Sequence, residues 1–598
     1  MLKIPPQSIR LSKINLAHIC LALIGLMWVV PFVNYSHQYP ITTFYQEWPS
    51  ALLGVLALTL LASREFWQQP EIPRIAQLPA ALIAVVLLQW GLGKVAYFDQ
   101  ALLFVLYLLF TALLMLLGAS LRGCFGMARL AQVLAIFLLI GAELNALIGV
   151  LQHYRWNTPL SGVIVSKISS SVYGNLAQPN HYANYIALGL ISLGLLYQQQ
   201  RLKASHVTCL VVPLLFVLTL SGSRSSWLYL LLMAGLAWWW TRRDAGQRPL
   251  LRYSLLLVAG FGIMHLVVQL PFLAGTDSSI NTMQRLFGDG ASGGIRLYLW
   301  RESWLIFAQS PLLGVGLGQF AWHHFQLLPV LQQGNIVGLY NNAHNLIFHL
   351  AAETGVVGLL VFVVPLGIWI NGIRRAPLDT AHWWGYAILG VLAIHSLLEY
   401  PLWYTYFLAV AAILLGALDE TRYRLELRKV GRISIAAILV LGLLLLIQLF
   451  NGYRELESVL AIRPASTADR ASVIRFRDGL VAVHSGVLLS PYVELSISAL
   501  IEINGDHIKE KLALNTRVMH FVPIGAVVYR QALLLAQDDQ LELAKTTMVQ
   551  AIWSYPGDFA SAHKMMVGLV DKDPEHFSTL LEFSLQKAQE YHYAVYKQ

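Results

Sequence analysis

Long apolar runs separated by short polar stretches fill the chain up to residue 450. They cover residues 15–33, 44–62, 77–93, 100–119, 130–151, 181–198, 206–221, 225–241, 253–273, 346–372, 383–399, 402–418 and 433–450. A helix of about 20 apolar residues crosses the hydrocarbon core of a bilayer. The pattern therefore predicts an all-α, polytopic membrane helix bundle with about 13 transmembrane helices. Because many spans follow the first run, we interpret it as a span and not as a cleaved signal.

After residue 450 the apolar residues recur at helical spacing instead of forming continuous runs. Residues 526–536 and 541–552 each have the pattern of an amphipathic helix, and Pro556 ends the second one. The pair resembles one tetratricopeptide unit, and plain helical packing is the alternative. We predict a transmembrane catalytic domain over residues 1–450 and a separate helical domain over residues 451–598.

Lysine and arginine concentrate in alternate loops, which predicts the orientation of the chain. The N-terminal segment carries Lys3, Arg10 and Lys13, and basic loops face the cytoplasm. An odd number of spans then places the C-terminal domain in the periplasm. On that side the pattern predicts two long loops, 152–180 and 274–345. The basic residues of the predicted cytoplasmic loops are Arg64, Arg74, Arg122, Arg129, Arg201, Lys203, Arg242, Arg243, Arg248, Arg374, Arg375, Arg422, Arg424, Arg428, Lys429 and Arg432.

Composition supports a membrane protein and argues against other classes. The chain is 57% hydrophobic and 12% charged, whereas soluble domains carry about 25% charged residues. The net charge of +9 comes from residues in short loops, so we expect no nucleic-acid partner. Cys20, Cys124 and Cys209 lie in or beside apolar runs, and their positions indicate neither a disulfide framework nor a thiolate metal site.

The strongest candidate for chemistry is His344, which lies where the predicted loop 274–345 meets an apolar helix. A neutral imidazole there can act as a general base, because its usual pKa lies near working pH. The alternative is that His344 only caps the helix. His349 and Glu353 are four residues apart and can pair on one helical face, where we expect them to support the site.

Arg224 and Arg296 are the candidate ligands for a phosphate group. Arg224 lies in a short turn between two apolar runs, and Arg296 begins a segment with apolar residues at helical spacing. Guanidinium groups bind phosphate through paired hydrogen bonds. The alternatives are that Arg224 reaches the lipid headgroups and that Arg296 is an ordinary surface residue.

Three further features have weaker chemical interpretations. Residues 314–318 read Gly-Val-Gly-Leu-Gly, but no βαβ unit surrounds them, so they predict a turn with close backbone approach and not a nucleotide site. His323 and His324 have no carboxylate at ligand spacing nearby, which argues against a metal. Glu143 lies inside an apolar run and is either a proton or ion site or a hydrogen-bond partner of Asn145 or a neighbouring helix.

Several stretches resemble a known family. Residues 343–345 (Ala-His-Asn) followed by 352–355 (Ala-Glu-Thr-Gly), the segment from Arg296 to Phe320, and residues 223–225 (Ser-Arg-Ser) are similar to motifs of the bacterial O-antigen ligase and polymerase (Wzy/WaaL) superfamily. Within it, residues 174–181 and 399–404 resemble the PglL-type protein O-oligosaccharyltransferases, as does the helical tail.

The resemblance implies transfer of a glycan from undecaprenyl pyrophosphate to a Ser or Thr hydroxyl of an exported protein such as pilin, in the bacterial inner membrane, without cofactor or metal. His344 would be the general base, and Arg224 and Arg296 would bind the pyrophosphate. Gln178 and Tyr400 would position donor or acceptor. Further substrate-binding candidates are Asn180, His181, Asn345, His349 and Glu353. Two alternatives stay open: an O-antigen ligase or polymerase with a glycan acceptor, and a membrane transporter.

Overall fold

The computed structural model describes residues 7–273, 275, 291–332, 336–424, 427–462, 470–484, 486 and 488–596. Each predicted apolar run lies on helical structure. The helices up to residue 267 are α1 (Gln7–Met27), α2 (Val30–Val33), α3 (Phe44–Ala57), α4 (Gln77–Gly91), α5 (Phe98–Phe125), α6 (Met127–Tyr154), α7 (Pro179–Gln198), α8 (Ala204–Leu220), α9 (Ser225–Arg243) and α10 (Arg248–Val267).

The second half of the chain is also helical. Its helices are α11 (Ala291–Gln309), α12 (Phe320–Leu331), α13 (Leu346–Gly372), α14 (Thr380–Ser396), α15 (Thr405–Leu418), α16 (Arg428–Ile462), α17 (Arg470–His484), α18 (Ser490–Ser498), α19 (Ile508–Phe521), α20 (Gly525–Gln537), α21 (Leu541–Ser554), α22 (Phe559–Val570) and α23 (Pro574–Tyr596). Two short antiparallel strands pair as well, β1 (Glu71–Pro73) and β2 (Arg422–Arg424).

A helical membrane bundle is confirmed, but fewer of the described helices have the length and hydropathy of a membrane span than the apolar runs predict. Among the described residues, seven helical segments are long and apolar enough to cross a membrane. Two shorter apolar helices, Ala204–Leu220 and Thr405–Leu418, accompany them. The helices α3, α7, α9 and α14 meet neither description, although each coincides with a predicted span. The total of about 13 spans therefore stays a prediction.

The chain divides into two compact units, which are described separately. Unit 1 comprises Met1–Ala81, Tyr107–Gly290 and Phe362–Leu446. Unit 2 comprises Leu82–Leu106, Ala291–Val361 and Ile447–Gln598. The predicted domain boundary at residue 450 stays a prediction.

Unit 1 is built around α7, whose side chains are buried from His181 to Leu196. Phe32 stacks on Tyr185 of this helix, with ring centroids 3.9 Å apart. The Tyr185 hydroxyl donates a hydrogen bond to the Trp28 carbonyl at 2.6 Å. Burial on all sides explains why residues 181–198 resemble a membrane span in sequence, because a helix that is apolar all round is either buried in protein or in lipid.

In unit 2 the predicted amphipathic pair is confirmed. It forms α20 and α21, and a short turn at Pro556 follows the second helix. Both helices contribute to one hydrophobic core that also takes in Phe325 of α12 and Met566 of α22. The C-terminal helices of this unit therefore pack directly on the segment that precedes the candidate catalytic histidine.

The predicted periplasmic loop 274–345 contains two helices, so its described residues are not a continuous loop. Helices α11 and α12 occupy residues 291–309 and 320–331. Residues 274, 276–290 and 333–335 lie outside the described residues.

Candidate active site

Asn180 joins two motifs of unit 1 that are far apart in sequence. Its side-chain amide donates a hydrogen bond to Oε1 of Glu399 at 2.8 Å. Its carbonyl oxygen accepts one from the Ser223 hydroxyl at 2.8 Å. Ser223 and Glu399 are 1% and 4% exposed, so these bonds are shielded from water. Residues 223–225 and 399–404 are thereby fixed to the start of α7.

His181 and Tyr400 lie in the same aromatic environment. The ring of His181 meets Tyr400 edge to face at 6.1 Å and Tyr404 at 4.9 Å. Burial raises the pKa of the Tyr400 hydroxyl, so this group is a neutral phenol at neutral pH. A neutral phenol both donates and accepts hydrogen bonds, which suits the predicted positioning of a sugar or an acceptor hydroxyl.

Gln178 and Arg224 occupy the starts of two helices. The Gln178 side chain accepts a hydrogen bond from the backbone N–H of His181 and caps α7. Arg224 is the residue before α9, between helices that end at Leu220 and begin at Ser225, and its side chain is half-buried. The structure therefore places Gln178, Asn180, His181 and Tyr400 together, and Arg224 directly after the Ser223 hydroxyl that binds Asn180.

His344 lies in unit 2 on a strained turn. Its φ is +51°, a left-handed conformation that is uncommon for a residue other than glycine. Its backbone N–H donates to Oδ1 of Asn342 at 2.9 Å, which stabilises the turn. Asn345 accepts hydrogen bonds from the N–H groups of Ile347 and Phe348 at 3.0 and 3.2 Å. The interpretation of His344 as the helix cap is therefore wrong, because Asn345 fills that role.

The predicted pairing of His349 with Glu353 is confirmed. Nε2 of His349 lies 3.2 Å from Oε2 of Glu353, and both side chains are buried. Nδ1 of His349 accepts from the backbone N–H of Ala343 at 3.4 Å, so Nε2 carries the ring proton. The other carboxylate oxygen accepts from the N–H of Phe320 at 3.0 Å. The pair is thus hydrogen-bonded to the backbone of Ala343, the residue next to His344, and of Phe320.

The glycine-rich segment 314–318 completes a broken helix. Helix α13 is interrupted at Gly355, where φ is +63° and ψ is −164°. The carbonyls of Ala352 and Glu353 accept from the N–H groups of Val315 and Gly316 at 3.1 and 3.0 Å. The N–H groups of Val356 and Val357 donate to carbonyls of Pro311 and Leu312.

A side chain on Gly314 would overlap the backbone of Glu353. The predicted close backbone approach is therefore confirmed, and the approaching surface is the protein's own helix.

Arg296 lies in α11, whose first residue is Ala291. The prediction that Arg296 begins this helix is therefore wrong by five residues. Its neighbour Ile295 packs on a hydrophobic cluster that contains Ala343, the neighbour of His344. Further along the same helix, Trp300 stacks on Phe348 with ring centroids 5.5 Å apart. These contacts bring the segments of Arg296 and His344 to one region of unit 2.

Two sequence-based interpretations of ionisable residues need correction. Asn145 bonds to the carbonyl of Gly141 at 3.0 Å, and Oε1 of Glu143 has no hydrogen-bond partner among the described residues. The predicted Glu143–Asn145 bond is absent because residues two apart on a helix do not face each other. His324 does meet a carboxylate, that of Glu302 at 2.8 Å. Within the described ranges, no cluster of three or more His, Cys, Asp or Glu could hold a metal ion.

Three family models match successive parts of the chain. Residues 172–197 match "Protein glycosylation ligase", residues 209–363 match "O-Antigen ligase", and residues 383–568 match "Virulence factor membrane-bound polymerase, C-terminal". The first contains Gln178, Asn180 and His181. The second contains Arg224, Arg296, His344, Asn345, His349 and Glu353, and the third contains Tyr400.

Two relatives from Acinetobacter baylyi extend these matches. The chain is 29% identical over 455 residues to the General O-oligosaccharyltransferase. The aligned region covers 75% of this chain and 77% of the relative. It is also 24% identical over 384 residues to the ComP-specific O-oligosaccharyltransferase. This aligned region covers 63% of this chain and 66% of the relative.

The helical membrane fold and the family-model matches indicate a membrane-bound glycosyltransferase similar to the O-antigen ligases. Within that class, the chain is most similar in its matches to the PglL-type protein O-oligosaccharyltransferases.

Proposed function

We propose that this protein moves a glycan from undecaprenyl pyrophosphate to a Ser or Thr hydroxyl of an exported protein such as pilin, at the periplasmic face of the bacterial inner membrane. The curated relatives are named as O-oligosaccharyltransferases, and such an enzyme needs an activated donor and a protein acceptor. The concentration of candidate residues in predicted periplasmic segments supports the side of the membrane.

His344 acts as the general base in the proposed reaction. Its imidazole takes the proton of the acceptor hydroxyl while the hydroxyl oxygen forms a bond to the anomeric carbon of the glycan. The bond from that carbon to the pyrophosphate oxygen breaks, and its electron pair leaves with the undecaprenyl pyrophosphate. A positioned base contributes typically 10²–10⁴-fold to the rate of such a step.

Arg224 and Arg296 bind the pyrophosphate in the proposal. Negative charge develops on the leaving oxygen as the glycosidic bond breaks, and two guanidinium groups can stabilise it through paired, charge-assisted hydrogen bonds. Both arginine side chains are half-buried, so they are partly shielded from competing water.

In the proposal, the donor or acceptor is held by four residues: Gln178, Asn180, His181 and Tyr400. The turn on which His344 lies is held by three others: Asn345, His349 and Glu353. The observation that carries the proposal is this turn, in which Asn342 binds the backbone N–H of His344 and His349, paired with Glu353, binds that of Ala343, next to a half-buried imidazole. Such an arrangement holds the backbone from which the His344 imidazole projects.

Mass spectrometry of an exported acceptor after co-expression with a lipid-linked glycan pathway tests the proposal. The wild-type protein should add the glycan to Ser or Thr, and His344→Ala should lower transfer by at least about 10²-fold with normal protein levels. Glycan attached only to lipopolysaccharide would favour the ligase alternative. Wild-type transfer rates in purified His344→Ala would overturn the mechanism.

A further inference from the structure

Glu302 and His324 form a buried ionisable pair beside the candidate catalytic turn. Both side chains are 0% exposed. Nδ1 of His324 lies 2.8 Å from Oε2 and 3.0 Å from Oε1 of Glu302. Ionisable groups are costly to bury, so a pair at this depth needs an explanation, and neither residue has a part in the reaction proposed above.

The second nitrogen of His324 contacts the chain that leads to His344. Nε2 lies 3.2 Å from the carbonyl oxygen of Gly338. A carbonyl oxygen only accepts hydrogen bonds, so Nε2 carries a proton and donates it. Either an imidazolium faces a Glu302 carboxylate, or a neutral ring accepts from a protonated Glu302. In both cases the pair shares one proton and keeps the donor to Gly338.

Gly338 is held from its other side by the C-terminal helices. Its backbone N–H donates to the carbonyl of Ser554 at 2.8 Å, at the last residue of α21, where helix carbonyls lack partners within the helix. Its φ is +90°, a conformation that glycine adopts readily. Both backbone polar groups of Gly338, its N–H and its carbonyl, are therefore hydrogen-bonded to other segments of unit 2.

Apolar contacts extend this attachment towards His344. Ile336, Ala343 and Trp553 belong to one buried cluster, and Tyr340 packs against it. The ring of Tyr340 also meets the ring of His324 edge to face, with centroids 5.4 Å apart. The stretch 336–343 is thus attached at several points, and it ends at the residue before the candidate base.

We propose that Glu302 and His324 are positioning residues that, together with the end of α21, hold residues 336–344 in the conformation required for glycan transfer. The pair touches no reacting atom and acts through the backbone of Gly338. The catalytic consequence rests on the proposed role of His344, whereas the structural attachment does not depend on which glycan or acceptor is used.

The decisive variant replaces both partners at once. In Glu302→Leu/His324→Phe the buried pair becomes apolar, which is often close to neutral for stability, but the donor to Gly338 is lost. Faster hydrogen–deuterium exchange is expected over residues 336–344. Transfer measured with purified full-length protein should show kcat lowered roughly 10- to 100-fold, with an unchanged KM for the acceptor peptide.

Two further variants separate positioning from general damage. Glu302→Gln keeps an amide donor for Nδ1 and the Nε2–H bond, so its kcat should stay within about fivefold of wild type. Asp573→Asn/His576→Phe alters another His–carboxylate pair of unit 2 with the same 2.8 Å separation, where the side chains are 25% and 33% exposed. Its exchange and kcat should match wild type.

Unchanged exchange over residues 336–344 in the Glu302→Leu/His324→Phe variant would overturn the proposal. So would faster exchange with a wild-type kcat, or an equal loss of kcat in the Asp573→Asn/His576→Phe control. If the wild-type protein transferred no glycan from an undecaprenyl pyrophosphate donor, the proposed function would fail, and the exchange measurement alone would then decide the attachment.

Discussion

Asn180 is the residue through which the candidate site of unit 1 is assembled. One side-chain amide binds both the Ser223 hydroxyl and the Glu399 carboxylate. An asparagine side chain suits this position because it offers a donor and an acceptor in a fixed geometry. The residue's importance therefore follows from the two motifs that it joins, one before Arg224 and one before Tyr400.

Asn180→Ala should weaken both stability and transfer. It removes the amide donor from a carboxylate that is 4% exposed, which typically costs about 1–3 kcal/mol. Thermal unfolding and a glycosylation assay of the purified protein measure the two effects. Ser223→Ala is the control, since it removes only a hydroxyl and leaves the Asn180–Glu399 bond in place, so its effect should be smaller. Equal loss in both variants would show that the Glu399 bond is not the important one.

Local spacing predicts some residue pairs and not others. His349 and Glu353 were predictable because four residues form about one helical turn. Asn180 and Glu399 are 219 residues apart, and Glu302 and His324 are 22 apart. No periodicity links such positions, since their contact depends on how whole helices pack. The buried polar pairs that support the site were therefore missed, although each lies within a segment that the sequence singled out.

At the scale of elements, the interruption of α13 is the feature that shapes the site. The apolar run 346–372 predicts one helix, and its bounds agree with the structure. The break at Gly355 was not predictable from periodicity, because it depends on partners supplied by residues 311–316. The glycine pattern indicated a close approach, but it did not identify the surface that is approached.

Gly355→Ala should destabilise the protein and reduce transfer. An added Cβ would lie 2.6 Å from the backbone nitrogen of Gly314, and the positive φ disfavours any side chain. We expect a loss of at least about 1–3 kcal/mol, measured as a lower thermal midpoint. Gly367→Ala is the matched control in the same helix, since nothing lies within 4 Å of its added Cβ. A control as damaging as Gly355→Ala would contradict this explanation.

At the scale of the whole molecule, the orientation in the membrane is the property on which the proposed function depends. The apolar runs correctly predicted helical structure at each of their positions. Among the described residues, however, only seven helical segments are long and apolar enough to span a membrane. Several predicted spans are short or buried within protein, and composition does not distinguish burial in protein from burial in lipid.

Cysteine labelling tests the orientation. In a protein with Cys20, Cys124 and Cys209 replaced, His344→Cys should react with a membrane-impermeant maleimide added outside the inner membrane, because position 344 is half-exposed and predicted to be periplasmic. Arg374→Cys lies in a predicted cytoplasmic loop and should react only after the membrane is permeabilised. The opposite labelling pattern would place the site on the wrong side for an exported acceptor.

The backbone bonds between residues 311–316 and 352–357 also set a rule for exchanging parts between relatives. If α13 alone were taken from a relative, its interruption at Gly355 would face residues 311–316 of the other parent. Those residues supply half of the hydrogen-bond donors and acceptors that the interruption needs. Chimaeras built to alter acceptor choice should therefore place their crossover points outside residues 310–357, so that both halves are inherited from one parent.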